Sequence, residues 1–121
     1  MYKIIYYEDR NGREPVRDYI EELVKRTDKD GRIKATKILD YIDSLRIYGT
    51  AVRGEHIKHL EGDIWELRPI RDRILFAAWD GNGFILLHYF VKKTMKTPRR
   101  EIDQAKRNLI DHKERSKSDE Q

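Results

Sequence analysis

The sequence predicts an α+β domain, with helices packed on a largely antiparallel sheet. Three observations carry this. Val16, Tyr19, Ile20, Leu23 and Val24 recur at i, i+3, i+4, i+7 and i+8, the period of an amphipathic helix. Arg73–Trp79 and Phe84–Val91 read as strands on either side of Asp80-Gly81-Asn82-Gly83, a strong hairpin signal because Asn and Gly accept positive φ. The elements run β-α-α-β-β-β-α, without the regular βα alternation of a doubly wound sheet.

Taken in order, Met1–Tyr7 is Ile- and Tyr-rich and reads as a strand. Asn11-Gly12 marks a turn, and Glu14-Pro15 opens the first helix with Pro at its first position. Thr27–Gly31 breaks that helix. A second follows with Ala35, Ile38, Leu39, Ile42 and Leu45 on one face and Gly49 at its C-terminal cap. Thr50–Gly54 is a loop, and Ile57–Leu60 fits a short strand or a turn. Ile64–Arg68 is a strand limited by Pro69. The unbroken apolar run of Phe84–Val91 suits a strand covered on both faces. Thr97 as N-cap and Pro98 at N1 start a last helix, with Ile102, Ala105 and Leu109 as its narrow stripe. Residues 1–115 are expected to form one domain, and 116–121 a polar, disordered tail.

Composition removes several classes. The 121 residues contain no Cys, which excludes disulfide scaffolds and thiol chemistry and makes the cytoplasm the default compartment. No apolar run approaches the roughly 20 residues needed to span a bilayer, and no signal peptide is read at the start. The pairs His56/His59 and His88/His112 have no metal-ligand spacing, so no metal or other cofactor is expected. Gly81-Asn82-Gly83 precedes no helix and is no phosphate loop. No Ser sits in a nucleophile elbow.

Charge is unevenly placed. Ile64–Arg100 carries eight basic residues against three acids, a net +5, while the whole chain is +4. That is a footprint for a polyanion, RNA above all. Strand alternation sets Glu66 and Arg68 opposite Trp65 and Leu67, and Arg73 opposite Ile74 and Phe76. If Leu67, Ile74 and Phe76 face the core, Arg68 and Arg73 share an open face, with Lys92 and Lys93 at the end of the neighbouring strand. Phosphodiester cleavage needs a base for the 2′-OH, an acid for the leaving oxygen and cations for the developing charge. Glu66 is a candidate base, His88 or a Lys a candidate acid, and Arg68, Arg73 and Lys93 are candidate charge binders. The bland alternatives are a solvated basic face, a satisfied structural His88 and a Glu66 that only pairs with its arginines. Trp65, Trp79 and Phe90 are read as core before base-stacking groups.

The segments Gly12-Arg13-Glu14-Pro15-Val16, Lys58-His59-Leu60, Ile64-Trp65-Glu66-Leu67-Arg68-Pro69 and Arg73-Ile74-Leu75-Phe76 together resemble the RelE/HigB toxin superfamily, in its phage-derived HigB-like branch. Leu86–Thr94, Lys96-Thr97-Pro98 and Glu101–Ala105 complete the match over most of Tyr2–Leu109. The resemblance implies a RelE-like fold with an antiparallel sheet of about four strands, an N-terminal helical hairpin and a C-terminal helix. It implies the toxin of a type II toxin–antitoxin pair, bacterial or phage-encoded and cytoplasmic. Such toxins are endoribonucleases that cleave mRNA on the ribosome by metal-independent 2′-OH attack. A HigA-like helix-turn-helix antitoxin is the implied partner, with operator DNA reached only through the toxin–antitoxin complex. By motif position Arg68, Arg73 and Lys93 resemble the family's basic active-site residues. Lys92, Lys96 and Arg99, with Arg71, would contact RNA backbone. Where some relatives place a Tyr, this chain has Ile102, with Tyr89 or His88 as possible substitutes. The rival readings are a gyrase-poisoning toxin of the same fold and a non-catalytic RNA-binding or adaptor module.

Overall fold

A computed structural model describes residues 1–51 and 54–119. The order is β1 (Lys3–Tyr6), α1 (Pro15–Lys25), α2 (Lys29–Tyr48), β2 (Ile57–Glu61), β3 (Ile64–Leu67), β4 (Asp72–Trp79), β5 (Gly83–Val91) and α3 (Arg99–Asp119). Short 3-10 turns cover Gly49–Ala51 and Gly54–His56.

The sheet has five strands in the order β1-β5-β4-β3-β2 and is mixed. The expected meander is present as β2 to β5, all antiparallel, and Ile57–Glu61 is a true strand in it. The expectation of about four antiparallel strands is corrected by β1, which adds to the β5 edge in parallel, Lys3 opposite Gly83. That edge depends on a missing side chain. A Cβ at Gly83 would stand 2.6 Å from the Lys3 carbonyl oxygen. The β4–β5 hairpin turns where expected, with Asp80 at φ 60° and Gly81 at φ 68°.

Each sheet face carries a core. One is closed by α1 and α2 through Val16, Ile20, Leu23, Ile38, Ile42 and Leu45, on Leu67, Ile74, Phe76 and Leu86. The other is closed by α3, whose Ala105 and Leu109 meet Leu75, Ala77, Ile85 and Leu87. The second face is therefore not open, as the sequence suggested. Beyond the N-terminus of α3 the segment leading into that helix lies over it, with Thr97 bonded to buried Glu66. Asn108 is buried on the same face and donates from Nδ2 to the Leu87 carbonyl at 2.8 Å, joining α3 to the middle of β5.

Local details differ from expectation for identifiable reasons. Val24 and Leu39 are exposed. They sit at the edges of their stripes; Val24, eight residues from Val16, is turned about 80° away from it. Helix α2 starts at Lys29, since Asp28 caps it by accepting from Gly31 N at 3.2 Å, so Gly31 lies inside the helix. Thr97 does not cap α3. Pro98 stands before the helix, its carbonyl accepting from Glu101 N at 3.0 Å, and the Thr97 hydroxyl is used elsewhere. Helix α3 runs on to Asp119, over the first four residues of the segment expected as a tail.

Candidate nucleic-acid interface

Strand alternation builds the site. Leu67 pairs with Ile74, and both point into the α1/α2 core. Their neighbours Glu66 and Arg73 therefore point to the other face. Continuing the register past Leu67 sets Arg68 across from Arg73. The segment after β5, residues 92–98, folds back over this corner, where α3 has not yet begun.

Glu66 is the hub. It is 1% exposed. Its Oε2 accepts the Thr97 hydroxyl at 2.5 Å. Its Oε1 faces Arg68 Nε at 3.5 Å and Arg73 Nε at 3.8 Å. One carboxylate thus serves two guanidiniums, and both Nε groups are buried without a hydrogen-bond partner among the described residues. The corner is left with excess positive charge that a bound anion would neutralise.

Arg73 is 7% exposed and held from behind: Nη1 donates to the carbonyls of Ile70 at 2.8 Å and Asp72 at 2.9 Å. Burial pulls its pKa down, with Arg68 adding to the effect and Glu66 opposing it. The Asp72 carboxylate is engaged on the opposite side, where it accepts the Tyr19 hydroxyl at 2.6 Å and lies 3.6 Å from Lys34 Nζ. Ile70 has φ 57°, a left-handed conformation that is an outlier for a β-branched residue. Its carbonyl is one of the two that fix Arg73.

Lys92 lies among these cations. Burial lowers its pKa first, then Arg73, Arg68 and Lys58, against the opposing pull of Glu66. Three cavities meet here. One of about 550 Å³ lies toward α2 and is lined by Arg68 and Arg73. One of about 250 Å³ holds Glu66, Arg68, Lys58, Lys92 and Lys96. One of about 420 Å³ holds Arg71, Arg73, Lys92 and Lys93. Arg68, Arg73 and Lys92 each line two of the three, so they form the junction.

The expected site residues are only partly gathered. Glu66, Arg68, Arg73, Lys92, Lys93, Lys96 and Arg71 surround the junction. His88 shares a row with Leu75 and Glu66 but none of these three cavities; its Nε2 lies 3.1 Å from Glu101 Oε1 of α3. Arg99 is engaged elsewhere. It forms a two-bond pair with Glu61 at 2.6 Å each and donates to Asp103 at 3.1 Å. Lys106 also donates to Glu61. Trp65 and Trp79 pack against the two cores, and Phe90 is buried. Lys58 and Thr97 were missed as site residues. Lys58 lies in the Lys58-His59-Leu60 segment, whose sequence indicates no chemical role, and Thr97 before Pro98 reads most simply as a helix cap. Among the described residues no group of three or more His, Cys, Asp or Glu is placed to hold a metal ion, and no helix is long and apolar enough to cross a membrane.

The fold and site define a small α+β protein whose sheet corner gathers cations around one buried acid. Residues 21–109, about three quarters of the chain, match the family described as Phage derived protein Gp49-like (DUF891), and the chain belongs to that family. It is a type II toxin family related to RelE/HigB-like toxins. No curated protein matches the chain.

Proposed function

We propose that this chain is the toxin of a type II toxin–antitoxin pair, and that it is an endoribonuclease cutting mRNA on the ribosome. One observation supports this above the rest: Arg68, Arg73 and Lys92 converge at the junction of three cavities with one buried carboxylate between them.

In the proposed reaction the scissile phosphate lies on Arg68 and Arg73. The neutral form of Lys92 takes the proton of the ribose 2′-OH. The 2′-oxygen attacks phosphorus, the bond to the 5′-oxygen breaks, and a 2′,3′-cyclic phosphate remains. Lys93, exposed on the same side, gives the 5′-oxygen its proton. The guanidiniums bind the charge that grows on the phosphoryl oxygens, a contribution of about 10²–10³ in rate per donor. Glu66 is a positioning residue. It acts through the two arginines and, through Thr97, holds the segment carrying Lys92 to Lys96. Lys96 and Arg71 serve backbone phosphates, while Arg99 mainly secures α3. His88, tied to Glu101, moves no proton in this scheme. A HigA-like antitoxin would neutralise the toxin and carry the pair to operator DNA, in bacterial or phage-infected cytoplasm.

The test uses purified protein, a defined message and ribosomes programmed with it. The reading expects cuts within the translated frame, lost in Arg68→Ala while ribosome affinity is largely kept. Intact message with inhibited gyrase supercoiling would replace it with the gyrase reading. Intact message with ribosome binding weakened uniformly by the same substitution would replace it with an adaptor module.

A further inference from the structure

The largest of the three cavities is not explained by phosphate binding alone. It lies on the α2 side of the arginines, and beside one further cation, Lys37 of α2, its far wall carries aromatic, aliphatic and acidic groups. Tyr41 of α2 stacks on His56, ring centres 4.4 Å apart and planes 24° from parallel. His56 is exposed, and its backbone is fixed by the 2.8 Å bond from Arg68 N to its carbonyl. Ile70 puts an aliphatic side chain, 55% exposed, on another wall. Glu55 adds a carboxylate. A bare phosphate needs neither an aromatic pair nor an aliphatic wall, and a carboxylate repels it.

We propose that this cavity is a nucleobase subsite for the RNA residue next to the phosphate held by Arg68 and Arg73. It rests on the ribonuclease reading above and adds what that reading lacks, a choice of base. The base stacks against the Tyr41–His56 pair with Ile70 at its side. Unstacked single-strand bases are held in this way by aromatic side chains. Glu55 accepts from the base edge. Guanine offers adjacent N1–H and N2–H donors to one carboxylate, whereas uracil offers a single N–H between two carbonyls. The subsite therefore favours guanine over uracil.

The test needs no cleavage. The full chain is titrated with guanosine 5′-monophosphate, uridine 5′-monophosphate and inorganic phosphate, following the His56 and Tyr41 ring signals by NMR. Guanosine monophosphate is expected to shift both rings and to bind more tightly than uridine monophosphate; phosphate alone is expected to leave His56 unmoved. His56→Ala should weaken the guanine nucleotide roughly fivefold or more, as for loss of one base–aromatic stack, and leave phosphate affinity unchanged. Glu55→Gln should erase the preference for guanine. Equal response to nucleotide and phosphate, or a His56→Ala chain that binds nucleotide normally, overturns the subsite. A chain that binds as expected yet cuts no message keeps the subsite and overturns the ribonuclease reading. Cleavage without any His56 response does the reverse.

Discussion

The Thr97 hydroxyl donates to Glu66 Oε2 at 2.5 Å, joining the segment before α3 to the buried end of β3. The two residues are thirty-one positions apart, and their bond holds the Lys92–Lys96 segment against the two arginines. A hydrogen bond to a charged group contributes about 1.5–3 kcal/mol. Thr97→Val keeps the shape and removes the donor. It is expected to lower stability by about that amount in chemical denaturation and to slow cleavage, and Thr97→Ser should restore both. Unchanged stability in Thr97→Val would mean that the bond is not formed in solution.

Lys92 carries a pH prediction. Its pKa in the folded chain lies below its ordinary 10.5, through burial and then Arg73 and Arg68. Between the lowered value and 10.5 the unfolded chain holds more proton, so the Lys92 contribution to stability rises with pH across that window. As the proton acceptor, Lys92 makes cleavage climb with pH and level off above its lowered pKa. Arg68→Lys keeps a neighbouring charge and should leave the inflection low, while Arg68→Ala should move it up toward 10.5 as well as slowing the reaction. A profile flat from neutral pH to 10 would remove Lys92 as the base.

Ile70 stores strain. A non-glycine residue in the left-handed region costs about 1–3 kcal/mol, and Asn tolerates that region better. Ile70→Asn is expected to raise the melting temperature, since the Ile70 carbonyl that holds Arg73 is backbone and stays in place. The same change removes the aliphatic wall of the large cavity, so nucleotide binding should weaken as stability improves. A lower melting temperature would show that the side chain does more packing than its 55% exposure suggests.

Glu61 secures the start of α3. Hydrogen bonds from Arg99 and Lys106 pull its pKa from the ordinary 4.5 to about 2. Its stabilising contribution is complete above 4.5 and is lost as pH falls toward 2. In melting scans Glu61→Gln should lie below the unsubstituted chain at neutral pH, with the gap closing between those two values. A gap independent of pH would assign the effect to packing.

Local signals made much of the fold legible. Pro15 and Gly49 mark helix ends by fixed φ and by absence of a Cβ, and Asp80-Gly81 marks a turn because Asp tolerates and Gly freely takes positive φ. The parallel β1–β5 edge was not legible, since Lys3 and Gly83 are eighty residues apart and nothing local to either announces the other. Nor was the α3-covered face. Its stripe of Ile102, Ala105 and Leu109 looks too narrow until buried Asn108 is counted as part of it. At the site, alternation correctly put Glu66, Arg68 and Arg73 together. The lowered pKa of Lys92 was not legible, because it arises from burial and from Arg73 and Arg68, which the fold brings beside it. His88 looked chemical as a His in an apolar strand, and Glu101 gives it a partner in the fold.

The central claim, RNA cleavage from the Arg68–Arg73–Lys92 junction, is tested most directly in cells. The chain is induced in bacteria and mRNA 5′ ends are mapped by primer extension, beside an Arg68→Ala control. The account predicts growth arrest with new in-frame ends confined to translated messages, absent from the control. Growth arrest with every message intact would contradict it.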